Sequence, residues 1–496
     1  MRQRGARRGQ AGLIESPLLQ APGTTGSYDP RTNTAGLAFD LGDLLPNIFK
    51  PTRADWRKNL VALHEWAHFY QFATTTYGFL YQTFTFAQAY MVNGLLSLYD
   101  PRKGRCRLPL LASGATAGLV SQPPWHLHLR ISYLLEQLRN AVYGYAPFPE
   151  VLGDPSGEWM AVFEVLSEIC GTPKIVITRT PGEAPLSGAH RYRIDDLLES
   201  HAHALSSIWL MQIVERDELP RCITDELLQH ANEVAVGPYR AFLQHALPVP
   251  DRDRMYAFCA LCDIALNPPG FHIENQRPMV LIPDQVWSPV ERMWRYMALT
   301  QEGRLPVPNR DKPGFEWEFL KKLKDSLTNE RDYVLPFSAN PERKLEDLRE
   351  KTLGLLRIED VPEALSLTWL DRIQAFSLAN AAREQIPLIL AGNHIQDLEV
   401  LIRSVGGPVA ISRLQDRTRL FPRICTGLIH LGILTLGDSL IGEHVVRAGI
   451  AQLEAVSRLL YMTRGEIEKV ASDSVFMEES LTAFLERYHL TLADFD

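Results

Sequence analysis

Cysteine is scarce in this chain: six residues, at 106, 170, 222, 259, 262 and 425, are spread over 496 positions. That density excludes a disulfide-stapled scaffold. The one CxxC, Cys259-Ala-Leu-Cys262, has no second pair at zinc-finger spacing and reads as two buried thiols on an apolar helix. Long apolar runs are missing as well, because charge or glycine breaks every hydrophobic stretch short of a membrane span; no membrane partner is expected. Neither sign of charge dominates, with 51 Lys and Arg against 59 Asp and Glu for a net charge of -8. No basic run is interleaved with aromatics, so nucleic acid is not an expected partner. A secretory signal is lacking too: Gln, Gly and Ala follow Arg2, Arg4, Arg7 and Arg8 where an apolar segment belongs. The expected location is cytoplasmic.

What is present suits a large, buried core: 46% of residues are hydrophobic and 22% charged. Residues 1–36 are rich in Gly, Arg, Gln, Ser, Thr and Pro and read as a flexible basic tail. Residues 302–314 hold three prolines among charged residues and read as a linker between a domain at 37–301 and a helical one at 315–496. In the first domain, helical spacing runs from Asp55 as N-cap to a stop at Thr74–Gly78, then over 79–98, 125–143 and 158–170. Lys174 to Arg179 is β-branched and reads as a strand, with 191–194 as its hairpin partner. Beyond 315 the pattern gives helices at 315–328, 342–353, 362–382, 395–405, 408–434, 440–461 and 463–487. The fold class expected is therefore α+β, mostly helical, and the C-terminal helices offer a surface for a protein partner.

Within the first helix lies Leu63-His64-Glu65-Trp66-Ala67-His68-Phe69-Tyr70-Gln71. Residues four apart share a helix face, so His64 and His68 can direct two imidazoles at one ion. Glu65, one step round, can stand beside a water at that ion. This is the arrangement of a zinc hydrolase, though two histidines and a glutamate can also meet by accident as satisfied polar groups on a packed helix. His126 and His128 are two apart, on different sides of a helix, and read as ordinary residues.

A catalytic zinc takes three protein ligands and keeps one position open. A helix capped by Asp195 or Asp196 and beginning at Leu197 carries Glu199 beside its apolar stripe, with His203 one turn on. Glu199 is the favoured third ligand, and His203 the group that orients it. Glu164 and Glu168, one turn apart on another helix, compete for the ligand role. Asp263, alone in an apolar helix, must be paired if buried; it can orient a ligand histidine or serve a structural bond. His272 sits on a loop from which it can reach a cleft.

His64-Glu65-Trp66-Ala67-His68-Phe69-Tyr70-Gln71, followed by Thr-Thr-Thr-Tyr-Gly, resembles the active-site helix of HExxH zinc metallopeptidases of the gluzincin kind. Among these it is similar to bacterial proteins with a HExxHxxQ helix. The resemblance implies a zincin-like catalytic domain, a zinc ion (Zn2+), a protein or peptide substrate, and a third ligand in a Glu-x-x-Ala element on a later helix. Glu199-Ser200-His201-Ala202 has that form. The two elements stand roughly 130 residues apart, against the few turns usual in better-known gluzincins. The expected activity is hydrolysis of a peptide bond, with Glu65 as general base. The alternatives are a scaffold without activity that binds a protein partner, and a zinc hydrolase acting on another bond.

Overall fold

The computed structural model describes residues 26–39, 56–112, 125–142, 157–170, 175–177, 192–216, 221–233, 237–244, 250–267, 279–281, 289–304, 315–326, 363–383, 385–414, 417–421, 439–471 and 475–496. Helix α1, Trp56–Thr74, carries the HExxH pattern and buries Trp56, Leu60, Leu63, Ala67 and Phe72, as its spacing predicts. Its expected cap, Asp55, lies outside the described residues, as do His272 and the helix expected at 342–353.

The stop expected at Thr74–Gly78 takes a different form. Only Thr75 interrupts the helices: its hydroxyl accepts from the Gly78 amide at 3.0 Å and caps α2, Thr76–Leu98. Gly78 therefore sits inside α2 and ends nothing. A Cβ there would stand 2.3 Å from Phe72 Cα, so its bare backbone lets the two helices turn tightly on each other.

α3, Trp125–Val142, and α4, Glu158–Cys170, pack on α2, while α5, Ile194–Arg216, lies along α1. α5 starts at Ile194, a turn earlier than expected, with Asp195 and Asp196 in its first turn and Asp196 accepting from the Arg193 amide at 2.7 Å. Around α5 stand α6, Arg221–Glu233, α7, Gly237–Gln244, α8, Asp251–Leu266, and α9, Pro289–Gln301. β3, Ile175–Ile177, forms where expected but pairs in parallel with β4, Met279–Leu281. The hairpin with 191–194 is not made, because Ile194 belongs to α5.

The C-terminal elements are α10, Phe315–Ser326, α11, Glu363–Arg383, α12, Ile395–Val405, β5, Val409–Leu414, β6, Arg417–Phe421, α13, Ser439–Tyr461, α14, Arg464–Ala471, and α15, Val475–Glu486. Three expectations are corrected here. A single helix over 408–434 is replaced in part by the β5–β6 pair, and the span expected as one helix over 463–487 holds two described helices, α14 and α15. Residues 26–37, expected to belong largely to the basic tail, form a hairpin of β1, Gly26–Asp29, and β2, Thr34–Leu37, whose strand β2 runs parallel to β5 from Thr34 opposite Val409; residues 1–25 lie outside the described residues. The sheet order is β1-β2-β5-β6. Among the described residues α11 packs on both α1 and α13, and buried side chains from Tyr28 to Phe495 form one connected cluster; most of the linker expected at 302–314 lies outside the described residues. Among the described residues no helix is long and apolar enough to cross a membrane.

Candidate metal centre

α1 and α5 lie side by side, which brings Glu199 from the first turns of α5 onto the two histidines of α1. Glu199 Oε1 stands 3.1 Å from His64 Nε2 and Oε2 stands 3.1 Å from His68 Nε2. The two imidazole nitrogens are themselves 3.1 Å apart. Among the described residues these are the three that gather as potential metal ligands. Each carboxylate oxygen meets a different histidine, and the three side chains offer ligand atoms within 4.8 Å of one another, close enough to share one ion. Glu199 is 55% exposed, so the cluster opens to solvent on that side.

The electrostatics call for positive charge in the triangle. Burial by itself pushes the pKa of His64 down, but the charge and hydrogen bond of Glu199 outweigh it and raise it to about 9. Burial would raise the Glu199 pKa, and the opposing charge and hydrogen bonds of the histidines hold it far below the usual carboxylate range instead. A proton on His64 is one way to supply the charge; a divalent ion is another.

His68 is locked in the tautomer of a metal ligand. Its Nδ1 meets Gln71 Oε1 at 2.9 Å, and the Gln71 amide cannot be turned round because its Nε2 donates to the Leu198 carbonyl at 2.8 Å. An amide oxygen only accepts, so His68 Nδ1 carries the proton and Nε2 keeps its lone pair for the cluster. The support continues inward. Gln71 Nε2 also donates to His201 Nδ1 at 3.1 Å, His201 Nε2 donates to the Leu390 carbonyl at 3.0 Å, and the Leu390 amide donates to Asp263 Oδ2 at 3.0 Å. Burial lowers the pKa of His201 to about 4, so it stays neutral and keeps this pattern. Tyr28 of β1 stacks on His68 with ring centroids 6.1 Å apart and closes the outer wall.

Glu65 faces the edge strand. It is 4% exposed, its Oε2 has no hydrogen-bond partner, and burial raises its pKa, partly offset by His64 and His68. Gly26 packs against its other oxygen: a Cβ at that position would lie 2.4 Å from Glu65 Oε1.

Two orienting roles are corrected. His203 makes no hydrogen bond to Glu199 through Nε2, which is buried without a partner, and its ring stands 6.5 Å from that of His64. Asp263 does not touch a ligand histidine; it is buried in a two-bond ion pair with Arg383 at 2.8 and 3.0 Å and reaches His68 only through Leu390, His201 and Gln71. Glu164 is exposed on α4, which packs on α2 and α3, and the side chain of Glu168 lies outside the description. Cys259 and Cys262 are free, buried thiols of α8. Sequence reasoning assigned no role to Gln71, although its place three residues after His68 puts it on the same helix face. Nothing in the local pattern marks His201, Tyr28 or Gly26. No protein-family model, curated protein or solved structure matches this chain.

Proposed function

We propose that this chain is a zinc-dependent metallopeptidase with a zincin-like centre. The observation that carries the reading is the convergence of His64, His68 and Glu199 into one triangle, with the buried Glu65 on the same helix. These three side chains would hold the ion. When bound, it supplies Lewis acidity, polarising the scissile carbonyl and easing the ionisation of water.

Glu65 takes the proton of the attacking water and passes it to the leaving amine. Its raised pKa favours this double duty, because a carboxylate poised closer to neutrality both accepts and returns a proton. Gly26 limits where its carboxylate can sit, and Gln71 keeps His68 turned to the ion. A peptide is favoured as substrate because β1 is an outer strand of its sheet, packs beside α1, and can align an extended chain by main-chain hydrogen bonds.

The test is metal content by mass spectrometry together with digestion of a peptide library. Wild type should hold one zinc per chain, His64→Ala and Glu199→Ala should lose it, and Glu168→Ala should keep it. Glu65→Gln should retain zinc while hydrolysis falls by about 10²-fold or more. A wild-type chain that takes up no zinc when supplied with it removes the reading. Zinc uptake without any peptide cleavage would shift the substrate to another bond.

A further inference from the structure

Residues 491–496, Thr-Leu-Ala-Asp-Phe-Asp, lie against the rest of the chain as a docked peptide lies on a receptor. Helix α15 is followed by His489 in the left-handed region, φ 57°, and the Leu490 amide returns to the Leu485 carbonyl at 3.1 Å. That stop separates the segment from the helix before it. The segment then folds on itself, with Asp494 Oδ2 accepting from the Thr491 amide at 2.7 Å and from the Thr491 hydroxyl at 3.0 Å. A segment already shaped in this way loses little further freedom on docking.

The receptor is the loop that follows α2, joined by the start of α14. Each carbonyl of residues 494–496 meets a donor from it: the Tyr99 hydroxyl donates to Asp494 at 2.9 Å, the Arg464 guanidinium to Phe495 at 3.4 Å, and the Leu108 amide to Asp496 at 3.1 Å. The Asp496 amide donates in turn to the Cys106 carbonyl at 3.0 Å. One residue bonded to both neighbours of Arg107 repeats a rung of a parallel strand pair, and such main-chain bonds give affinity whatever the sequence.

Side chains supply the selectivity. Phe495 is fully buried with its ring stacked on that of Tyr99, centroids 5.5 Å apart, and Trp125 meets Tyr99 edge-on at 5.6 Å. Leu492 packs half-buried against the same core. Charge is complementary as well: Arg105 pairs with Asp496 at 3.1 Å, and the exposed Arg102, Lys103 and Arg107 share its loop, facing a segment with Asp494 and Asp496 and no basic residue. A buried aromatic anchor inside a polar, oppositely charged rim is the make-up of a recognition site.

We propose that Tyr99, residues 105–108 and Arg464 form a peptide-recognition groove for a Leu-x-Asp-Phe-Asp segment, filled in cis by residues 491–496 and able to take the same motif from a second protein chain. The tethered segment acts at an effective concentration on the order of millimolar, so a partner binds by outcompeting it or by meeting a protein whose own segment has been displaced. The groove shares no residue with the metal centre, and the inference does not rest on the metallopeptidase reading.

A fluorescein-labelled peptide Thr-Leu-Ala-Asp-Phe-Asp, titrated into the full chain and followed by fluorescence anisotropy, tests it. Phe495→Ala, whose own segment lacks its anchor, should bind the peptide saturably and with an affinity at least about 10-fold above that of wild type. A peptide with alanine in place of its phenylalanine should bind at least about 10-fold more weakly, and Arg105→Glu added to Phe495→Ala should lower the affinity several-fold at low salt. No saturable binding by folded Phe495→Ala, equal binding by wild type and that variant, or equal binding of a scrambled peptide overturns the groove. Asp496→Lys is a second variant, at an exposed position where folding is not at issue. Repulsion from Arg105 should loosen its own segment, so that it takes the labelled peptide a few-fold more tightly than wild type does. If Phe495→Ala does not fold, an Asp496→Lys affinity no better than that of wild type overturns the assignment.

Discussion

Asp263 and Glu65 are both carboxylates buried in apolar helices, at 0% and 4% exposure, yet their surroundings are opposite. Asp263 has both oxygens engaged: Oδ1 accepts from Arg383 at 2.8 Å and Asn267 at 3.0 Å, and Oδ2 from Arg383 and the Leu390 amide at 3.0 Å each. Glu65 has an Oε2 without a partner and no arginine or lysine hydrogen-bonded to it. A buried charge is tolerated when it is paired and hydrogen-bonded, and leaving a polar atom unmet costs about 1–3 kcal/mol. The first carboxylate is held in place by its bonds and holds α8, α11 and the Leu390 segment together. The second is kept short of bonds, which leaves it free to exchange a proton.

The largest effect that would test this contrast is the removal of Arg383. Arg383→Ala strands the Asp263 charge in the core and should lower the stability to urea denaturation by about 3–5 kcal/mol. Zinc affinity should fall with it, because Asp263 holds Leu390 by its amide, and the Leu390 carbonyl in turn holds His201, which meets Gln71 and through it His68. A variant within about 1 kcal/mol of wild type would show that the pair is not structural in the sense argued.

The site was more legible in the sequence than the fold around it. His64, Glu65 and His68 follow from spacing on one helix, whereas Glu199, 131 residues from His68, is preferred over Glu164 and Glu168 partly through the resemblance of Glu199-Ser200-His201-Ala202 to a Glu-x-x-Ala element. The supports are not local. Gln71 lies on the same face as His68, but its meaning depends on the Leu198 carbonyl and His201, 127 and 130 residues away. His203 shares a face of α5 with Glu199, yet its Nε2 is buried without a partner and its ring stands 6.5 Å from that of His64, because helix spacing says nothing about what packs opposite. Val409–Leu414 was read as helix since a short apolar run fits either period, and the choice is made by β2, where Thr34 pairs with Val409. The hairpin at 26–37 is Gly-containing and four residues per strand, too short for alternation to show.

Gly26 probes the second carboxylate at the next scale down. Alanine there places a methyl 2.4 Å from Glu65 Oε1 and 2.8 Å from Val61 Cγ1, so either β1 moves or Glu65 does. Gly26→Ala should keep its zinc, since no ligand is touched, while hydrolysis falls by about 10-fold to 100-fold through misplacement of the base. Hydrolysis unchanged within a factor of two would mean that Glu65 is not held by the edge strand.

The smallest effect is the most direct test of the comparison, because it concerns sign. Replacing each carboxylate by its amide, with zinc removed by a chelator, should move stability in opposite directions. Asp263→Asn leaves Arg383 buried beside a neutral group and should destabilise. Glu65→Gln removes a charge that burial disfavours and should stabilise by about 1 kcal/mol near neutral pH. The pH dependence follows from the raised pKa of Glu65. A carboxyl whose pKa is higher folded than unfolded binds more protons in the native state, so wild-type stability declines as pH rises from the unfolded value, about 4.3, through the folded one. The glutamine variant has no such titration. Its advantage should therefore be widest above the raised pKa and vanish below about pH 4. Glutamine that destabilises at neutral pH would mean that the Glu65 carboxylate is satisfied in the native protein after all, and the distinction between a carboxylate that builds and one that reacts would fail.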